Sequence, residues 1–277
     1  MKKSKLPTYP SIGQSFAITG IIIIAMMIVS VVIPALNKVV GNETAALLFQ
    51  ILAMGIPFLI VFRIKKRKSS GKAFNLTVKN KRIIPFLIVG GIVLLLGVVG
   101  PISALISVPE SMELAFAKAA SQTGLSTFML MVIAAPVLEE LIFRGIILDG
   151  LLHRYSPRIS ILISSLLFAI VHLNPWQFVA GLIMGAFLGW VYYRSKSMLA
   201  AIIIHASANF SVYFLRFFND SSMIDKNYIE SVGGLTNFIL ILLSSILVVN
   251  ICIYFLKREF RNKLQTNSDS IIVPSKT

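Results

Sequence analysis

Three charged side chains lie within six positions of an otherwise apolar stretch of the sequence: Glu139, Glu140 and Arg144. An uncompensated charge at the centre of a bilayer costs about 2.5 to 3.5 kcal/mol on insertion scales. Three unpaired charges would cost roughly 8 to 10 kcal/mol, so this stretch can cross a membrane only if other groups compensate them. We therefore expect the function to lie in this cluster and its partners.

Part of the compensation is predicted to be local. Glu140 and Arg144 are four residues apart with the acid first, which is the better order for an ion pair on a helix. Glu139 points about 100° away around the same helix. It therefore needs a partner on another helix or a water-filled cavity. Pro136, just upstream, lacks a backbone donor and is expected to kink the helix.

Two histidines in other apolar stretches are candidate partners. His172 shares a helical face with Ser164 and Phe168, and His205 shares one with Ala201 and Asn209. In an antiparallel hairpin that turns near residues 155–156, Glu139 and His172 are each about 16 residues from the turn. Counting along the chain therefore predicts that Glu139 meets His172, and it gives His205 a looser match in depth. The third histidine, His153, is expected in a solvated loop.

A structural interpretation competes for each residue singly. Intramembrane histidines often form hydrogen bonds between helices, and a Glu–Arg pair can be purely structural. Buried glutamate and histidine also serve proton relays, so a proton-coupled transporter is a second alternative. A catalytically silent scaffold that binds a partner in the membrane is a third. As a set, however, the residues fit hydrolysis, because a carboxylate in a low-dielectric site that stays ionised is a strong base.

Together these residues resemble a known family. The patterns Glu139-Glu140-x-x-x-Arg144, Phe168-x-x-x-His172 and His205-x-x-x-Asn209 are similar to the three motifs of the CAAX protease and bacteriocin-processing family, intramembrane endopeptidases. They occur in order on successive apolar stretches, and the resemblance covers residues 125–215, the predicted catalytic core.

The resemblance implies a role for each matched position. Glu139 would activate a water with the aid of His172. His205 and Asn209 would bind a metal or stabilise the oxyanion, and Glu140 with Arg144 would support them. A zinc ion held by His172, His205 and Glu139 follows only from the resemblance, and a metal-free glutamate mechanism stays open. The implied substrates are membrane-associated or CAAX-type peptides or proteins. The resemblance leaves a non-catalytic bacteriocin-immunity protein as an alternative.

The composition places this site in a lipid environment. Of the 277 residues, 56% are hydrophobic and 13% are charged, and the mean hydropathy is +0.85. Soluble domains carry about 25% charged residues. The net charge of +15 does not indicate nucleic-acid binding, because no basic stripe with interleaved aromatic residues is present. The one cysteine, Cys252, is expected to be a small buried hydrophobe.

We predict an all-α, polytopic transmembrane bundle that forms a single domain over residues 1–277. Its first apolar run is read as a retained transmembrane helix rather than a secretory signal. The eight predicted spans are Ser15–Leu36, Ala45–Phe62, Ile83–Ile106, Ser126–Leu152, Ile159–His172, Trp176–Tyr193, Met198–Phe218 and Leu235–Leu256.

The basic residues predict the orientation of these spans. With the N-terminus in the cytoplasm, 21 of the 26 Lys and Arg residues fall on cytoplasmic segments and 4 on external ones, a strong positive-inside signal. Both termini are therefore expected in the cytoplasm of a cell membrane protein. Residues 113–120 are expected to form a short interfacial helix, and residues 265–277 a disordered tail. Gly181, Gly185 and Gly189 share one helical face and predict close helix packing.

Overall fold

The computed structural model describes residues 8–68, 74–107, 109, 112, 117–218 and 228–269, with side chains described up to Arg261. The described residues contain no β-strand, and the predicted all-α bundle is confirmed. Its long helices are α1 (Ile12–Val40), α2 (Asn42–Lys68), α3 (Lys81–Ala104), α4 (Leu125–Leu152), α5 (Pro157–Ile170), α6 (Pro175–Ser195), α7 (Met198–Leu215) and α8 (Leu235–Asp269).

Within the described part of the chain, seven of these helices are long and apolar enough to cross a membrane. The exception is α5, whose 14 residues are about 21 Å long, less than the ~30 Å of a hydrocarbon core. The eight predicted spans thus correspond to eight helices, and the fifth falls short of a full crossing.

Three predicted segments differ in extent. α7 ends at Leu215, because residues 216–218 form a turn. α8 continues to Asp269, so the predicted disordered tail begins as helix, and residues 270–277 lie outside the described residues. Of the predicted interfacial helix, residues 117–120 are helical, and residues 113–116 lie outside the described residues.

Two helices depart from regular α-geometry. α4 contains π-helical segments at Met129–Ala134 and Phe143–Leu148, and α3 contains one at Leu94–Val99. Such bulges shift the face that the following residues present and are frequent at functional sites. In α4 the first segment precedes the two glutamates and the second contains Arg144, so the direction of these side chains cannot be obtained by counting regular turns.

At each end of the bundle, polar contacts join segments that are distant in the sequence. At one end Lys65 Nζ lies 2.8 Å from Asp149 Oδ2 and Arg154 Nε donates to the carbonyl of Thr8 over 2.6 Å. At the other end the Gly124 amide donates to Glu43 Oε1 over 3.2 Å. Segments predicted to share a side of the membrane therefore contact each other.

Glycine residues of α6 allow this helix to pack closely against α5. A Cβ atom on Gly181 would lie 2.8 Å from Ala169 Cα, and one on Gly185 would lie 3.1 Å from Ser165 Cα. The third glycine, Gly189, faces the side chain of Ile161, which also belongs to α5. The predicted role in close packing is confirmed for Gly181 and Gly185, because the atoms that a Cβ would meet there belong to the backbone of α5, whereas Gly189 meets only side-chain atoms at 3.3 Å or more.

Gly181→Ala should therefore lower the thermal unfolding midpoint by several degrees, since overpacking a core costs about 1 to 3 kcal/mol. The matched control is Gly55→Ala in α2, where a Cβ atom meets no atom within 4 Å. A thiol-reactive fluorophore can follow unfolding in detergent, because Cys252 is the one cysteine and is buried. Equal midpoints for both variants would contradict the packing role.

Candidate active site

The centre of the site is a fully buried carboxylate shared by two donors. Arg144 Nη1 donates to Glu140 Oε1 over 2.7 Å, and His205 Nδ1 contacts the same oxygen at 2.9 Å. The side chains of Glu140 and Arg144 are both 0% exposed. The predicted local ion pair is therefore present, and it also reaches α7 through His205.

Two further interactions stabilise the buried guanidinium of Arg144. Its Nη2 donates to the Gly185 carbonyl over 3.2 Å, and its guanidinium carbon lies 4.6 Å from the centroid of the Phe168 ring. A planar guanidinium presents five donors in a rigid fork and a flat face that stacks on a ring, whereas an ammonium is a compact point charge with three donors. Among the described residues, Glu140 Oε2 and Arg144 Nε have no hydrogen-bond partner. The ion pair is therefore formed, but one oxygen and one N–H of the pair make no hydrogen bond.

Glu139 occupies a more open position beside this pair. Its side chain is 13% exposed, and its Oε2 lies 3.7 Å from His205 Nε2. Its Oε1 accepts a hydrogen bond from Gln50 Nε2 over 3.0 Å. His205 therefore stands between two carboxylates, with Glu140 at Nδ1 and Glu139 at Nε2.

His172 lies where α5 has already ended, and two hydrogen bonds fix it. Its Nδ1 lies 2.8 Å from the Phe168 carbonyl, which can only accept, so Nδ1 carries the proton. The neutral ring then has its lone pair on Nε2. Asn174 Nδ2 donates to the His172 carbonyl over 2.8 Å and its Oδ1 caps α6. Between them, Leu173 adopts a left-handed conformation with φ 56°.

The ranking of the two histidines by depth was wrong. His205, the looser match by counting, is the histidine within 4 Å of Glu139, whereas His172 shares a cavity wall with Glu139. Counting assumed two regular helices, but α4 has a π-helical segment between Glu139 and the turn. α5 also ends at Ile170, two residues before His172.

Asn209 is positioned by the break in α4. Ala135 donates to the Leu130 carbonyl, five residues earlier, so the next carbonyl in this pattern, Met131, would pair with residue 136. Pro136 has no N–H to give. Asn209 Nδ2 donates to the Met131 carbonyl instead, over 2.9 Å. The predicted kink at proline thus takes the form of a π-helical segment, and α7 satisfies the carbonyl that it frees.

Phe168 orders the rings around the site. Its ring meets His172 at a centroid distance of 5.1 Å and His205 at 5.9 Å, both edge to face. The same ring lies against the Arg144 guanidinium. One aromatic side chain of α5 therefore restricts both histidines and the central cation.

A cavity of about 520 Å³ lies between the helices, and Glu139, both intramembrane histidines and Asn209 face it. Its wall is mostly apolar and includes several methionine side chains. The polar residues on the wall are Gln50, Glu139, His172, Gln177, His205, Asn209 and Arg216. A volume of this size is typical of ligand-binding sites in proteins.

The loop at residues 119–123 is tied to the end of α7 beside Arg216, which lines the cavity. Arg216 Nη1 donates to the carbonyls of Ala119 and Gln122, at 2.8 Å and 3.0 Å. Tyr213 donates to the Thr123 carbonyl over 2.7 Å. Burial lowers the pKa of Arg216, and Tyr213 and Glu43 oppose that shift.

A metal ion fits this arrangement incompletely. Glu139 and His205 are close enough to bind the same metal ion. In the described part of the chain, however, no three His, Cys, Asp or Glu side chains converge as the ligands of a zinc site usually do. The zinc ion implied by the family resemblance stays a prediction.

Comparison with known proteins adds independent information on this region. A family model described as type II CAAX prenyl endopeptidase Rce1-like matches residues 121–211. The predicted family resemblance is confirmed for this segment. It contains both glutamates, Arg144, both intramembrane histidines and Asn209, so each residue singled out by the motifs lies within the match.

Three curated proteins are similar to part of the chain. “UPF0177 protein YxdF” of Lactococcus lactis is 35% identical over 78 residues, which are 28% of this chain and 42% of that protein. “UPF0177 protein YbdI” of the same organism is 31% identical over 86 residues, 31% of this chain and 46% of that protein.

The third relative bears a functional name. “Putative membrane peptidase YdiL” of Bacillus subtilis is 33% identical over 84 residues, 30% of this chain and 34% of that protein. The chain thus spans less than half of the length of each of these relatives. No solved structure is significantly similar to it.

One residue that contacts the site was missed by the sequence analysis. Gln50 lies in α2, outside the matched segment, and contacts Glu139 directly. The only signal in the sequence was an uncharged polar side chain in the middle of an apolar span, a position that more often marks a contact between helices.

Arg144→Met should destabilise the protein strongly, because removing one partner of a buried ion pair costs about 3 to 5 kcal/mol. The double variant Arg144→Met/Glu140→Gln should recover much of that loss, since it no longer buries an uncompensated charge. The Cys252 labelling assay measures both midpoints. A double variant no more stable than the single one would contradict the charge argument.

Proposed function

We propose that the protein is an intramembrane endopeptidase in which Glu139 activates a water molecule. The observation that supports this most is the placement of Glu139. Its carboxylate faces a 520 Å³ cavity, one oxygen is held by Gln50, and the other lies 3.7 Å from His205 Nε2. A base held by neighbours and open to a cavity is what general-base hydrolysis requires.

The proposed reaction assigns a task to each side chain. Glu139 takes a proton from the water as the water oxygen bonds to the carbonyl carbon of the scissile peptide. The lone pair of His172 Nε2 accepts the other water hydrogen and orients the nucleophile. Glu139 then returns its proton to the amide nitrogen as the carbon–nitrogen bond breaks, so atoms and charges balance.

The developing oxyanion needs hydrogen-bond donors. Asn209 uses one amide hydrogen on the Met131 carbonyl and has a second for the oxyanion. His205 Nε2, which lies 3.7 Å from Glu139 Oε2, is a second donor for the same oxygen in the tautomer that places a hydrogen there. The buried pair of Glu140 and Arg144 fixes the His205 ring.

The substrates that we propose are peptides or proteins in or at the membrane, CAAX-type sequences included. The cavity lies among membrane-spanning helices and has a largely apolar wall with methionines. Flexible, polarisable methionine side chains adapt to apolar groups of different shapes. The family match and the name of the Bacillus subtilis relative favour the same substrate class.

Glu139→Gln should reduce cleavage by about 10²- to 10⁴-fold, the usual contribution of a general base. His172→Ala and His205→Ala should also lose most activity, while the matched control, His153→Ala at an exposed turn, should retain it. The assay is cleavage of a panel of membrane-associated peptides, prenylated and unprenylated, in proteoliposomes. Wild-type turnover by Glu139→Gln would refute the proposal, and proton flux through wild-type vesicles without cleavage would favour a transporter.

The zinc ion is a separate proposal, to be tested on the same preparations. Elemental analysis of wild type and of His205→Ala should then find about one zinc ion per chain in the former and a clear loss in the latter. Full cleavage activity in a metal-free wild type would end the zinc proposal and leave the Glu139 proposal standing.

We further propose a cell membrane location with both termini in the cytoplasm, as the distribution of basic residues favours. In a Cys252→Ser background, Lys118→Cys should react with an impermeant maleimide on intact cells, because residue 118 is exposed at the end predicted to be external. Arg158→Cys, exposed at the opposite end, should react only after permeabilisation. The reverse pattern would invert the orientation.

A further inference from the structure

We infer that Gln50 of α2 is a positioning residue for the Glu139 carboxylate. This inference rests on the proposed function and extends it to a helix outside the segment that matches the protease family. It is carried by the hydrogen bond from Gln50 Nε2 to Glu139 Oε1, at 3.0 Å, and by the place of both side chains on the wall of one cavity.

The hydrogen bond restricts the carboxylate in the way the reaction needs. A glutamate side chain ends in a torsion with broad, shallow minima, so an unrestrained carboxylate rotates. With Oε1 held by Gln50, the second oxygen stays on the side of His205, 3.7 Å from Nε2. The oxygen that would take the proton is therefore held at one place in the cavity.

The chemical type of Gln50 suits this task. An ionised carboxylate only accepts hydrogen bonds, so the amide nitrogen of Gln50 must face it. A lysine or arginine there would also hold Glu139, but its charge would stabilise the ionised carboxylate and make it a weaker base. A neutral donor fixes the position of the base with less loss of its basicity.

A purely structural role is the alternative, because α2 and α4 pack against each other. The same two helices have a second polar contact near their N-terminal ends. Thr44 and Ser126 are joined by a hydrogen bond of 3.1 Å, about 9 Å along α2 from Gln50. Thr44 does not line the cavity. Thr44→Val therefore removes a contact between these helices without touching Glu139, which makes it a matched control.

Three substitutions separate the roles. Gln50→Leu removes the donor, Gln50→Glu keeps the shape but places a second carboxylate against Glu139, and Gln50→His keeps an N–H donor at similar reach. A role in helix packing would rank the variants by stability, with Leu tolerated best. If Gln50 positions Glu139, kcat should instead follow the hydrogen-bonding group at this position, so that Gln50→His is the most active variant and Gln50→Glu the least active.

The experiment measures kcat and KM for these variants, Thr44→Val, Glu139→Gln and wild type, with thermal midpoints from Cys252 labelling. Gln50→Leu should lower kcat roughly 10- to 100-fold, as a misplacement of about 1 Å does, with KM changed by less than about threefold. Gln50→His should recover most of kcat, and Thr44→Val should keep wild-type kcat.

Each outcome is decisive. If wild type cleaves, Glu139→Gln does not, and Gln50→Leu matches wild type, the inference about Gln50 is overturned and the proposed function stands. If kcat follows the thermal midpoints across all variants, the role is structural and the inference is overturned. If wild type cleaves nothing, or Glu139→Gln cleaves equally, the proposed function is overturned and this inference falls with it.

Discussion

The buried pair of Glu140 and Arg144 is the interaction on which the rest of the structure depends. Neither charge is exposed, so each element around them must supply compensation. α7 supplies His205, α6 supplies the Gly185 carbonyl, and α5 supplies the Phe168 ring. The carbonyl can be reached because Gly185 lets α6 lie directly on α5. The need to compensate one ion pair thus brings four helices together around one point.

Much of this arrangement could be predicted from the sequence, because lipid imposes simple rules. Long apolar runs must be helices, and a charge inside one must find a partner, so the spans and the ion pair of Glu140 with Arg144 followed directly. The motif spacing also brought His172, His205 and Asn209 to one place. These predictions depended on helical periodicity within each span, which the structure largely keeps.

What could not be predicted depended on how the helices are placed against each other. Depth counting favoured His172 over His205 because it assumed regular helices, whereas α4 is π-helical at two places and α5 stops early. The bond between Asn209 and the Met131 carbonyl follows from a break whose exact pattern no residue type specifies. Gln50 was missed because one glutamine on an apolar span gives no direction in which to look for its partner.

The shortness of α5 has a consequence for the lipid around the protein. The helix is about 9 Å shorter than the hydrocarbon core, and the turn that follows it contains non-helical backbone. The amides of His172 and Leu173 donate to the carbonyls of Ala169 and Ile170, so the turn pairs its own backbone. What the bilayer must meet is the shortfall in length, by thinning beside α5. Leu173, 59% exposed, marks this spot on the surface. We expect hydrophobic mismatch beside α5, next to His172, so water access to the cavity should depend on the thickness of the surrounding membrane.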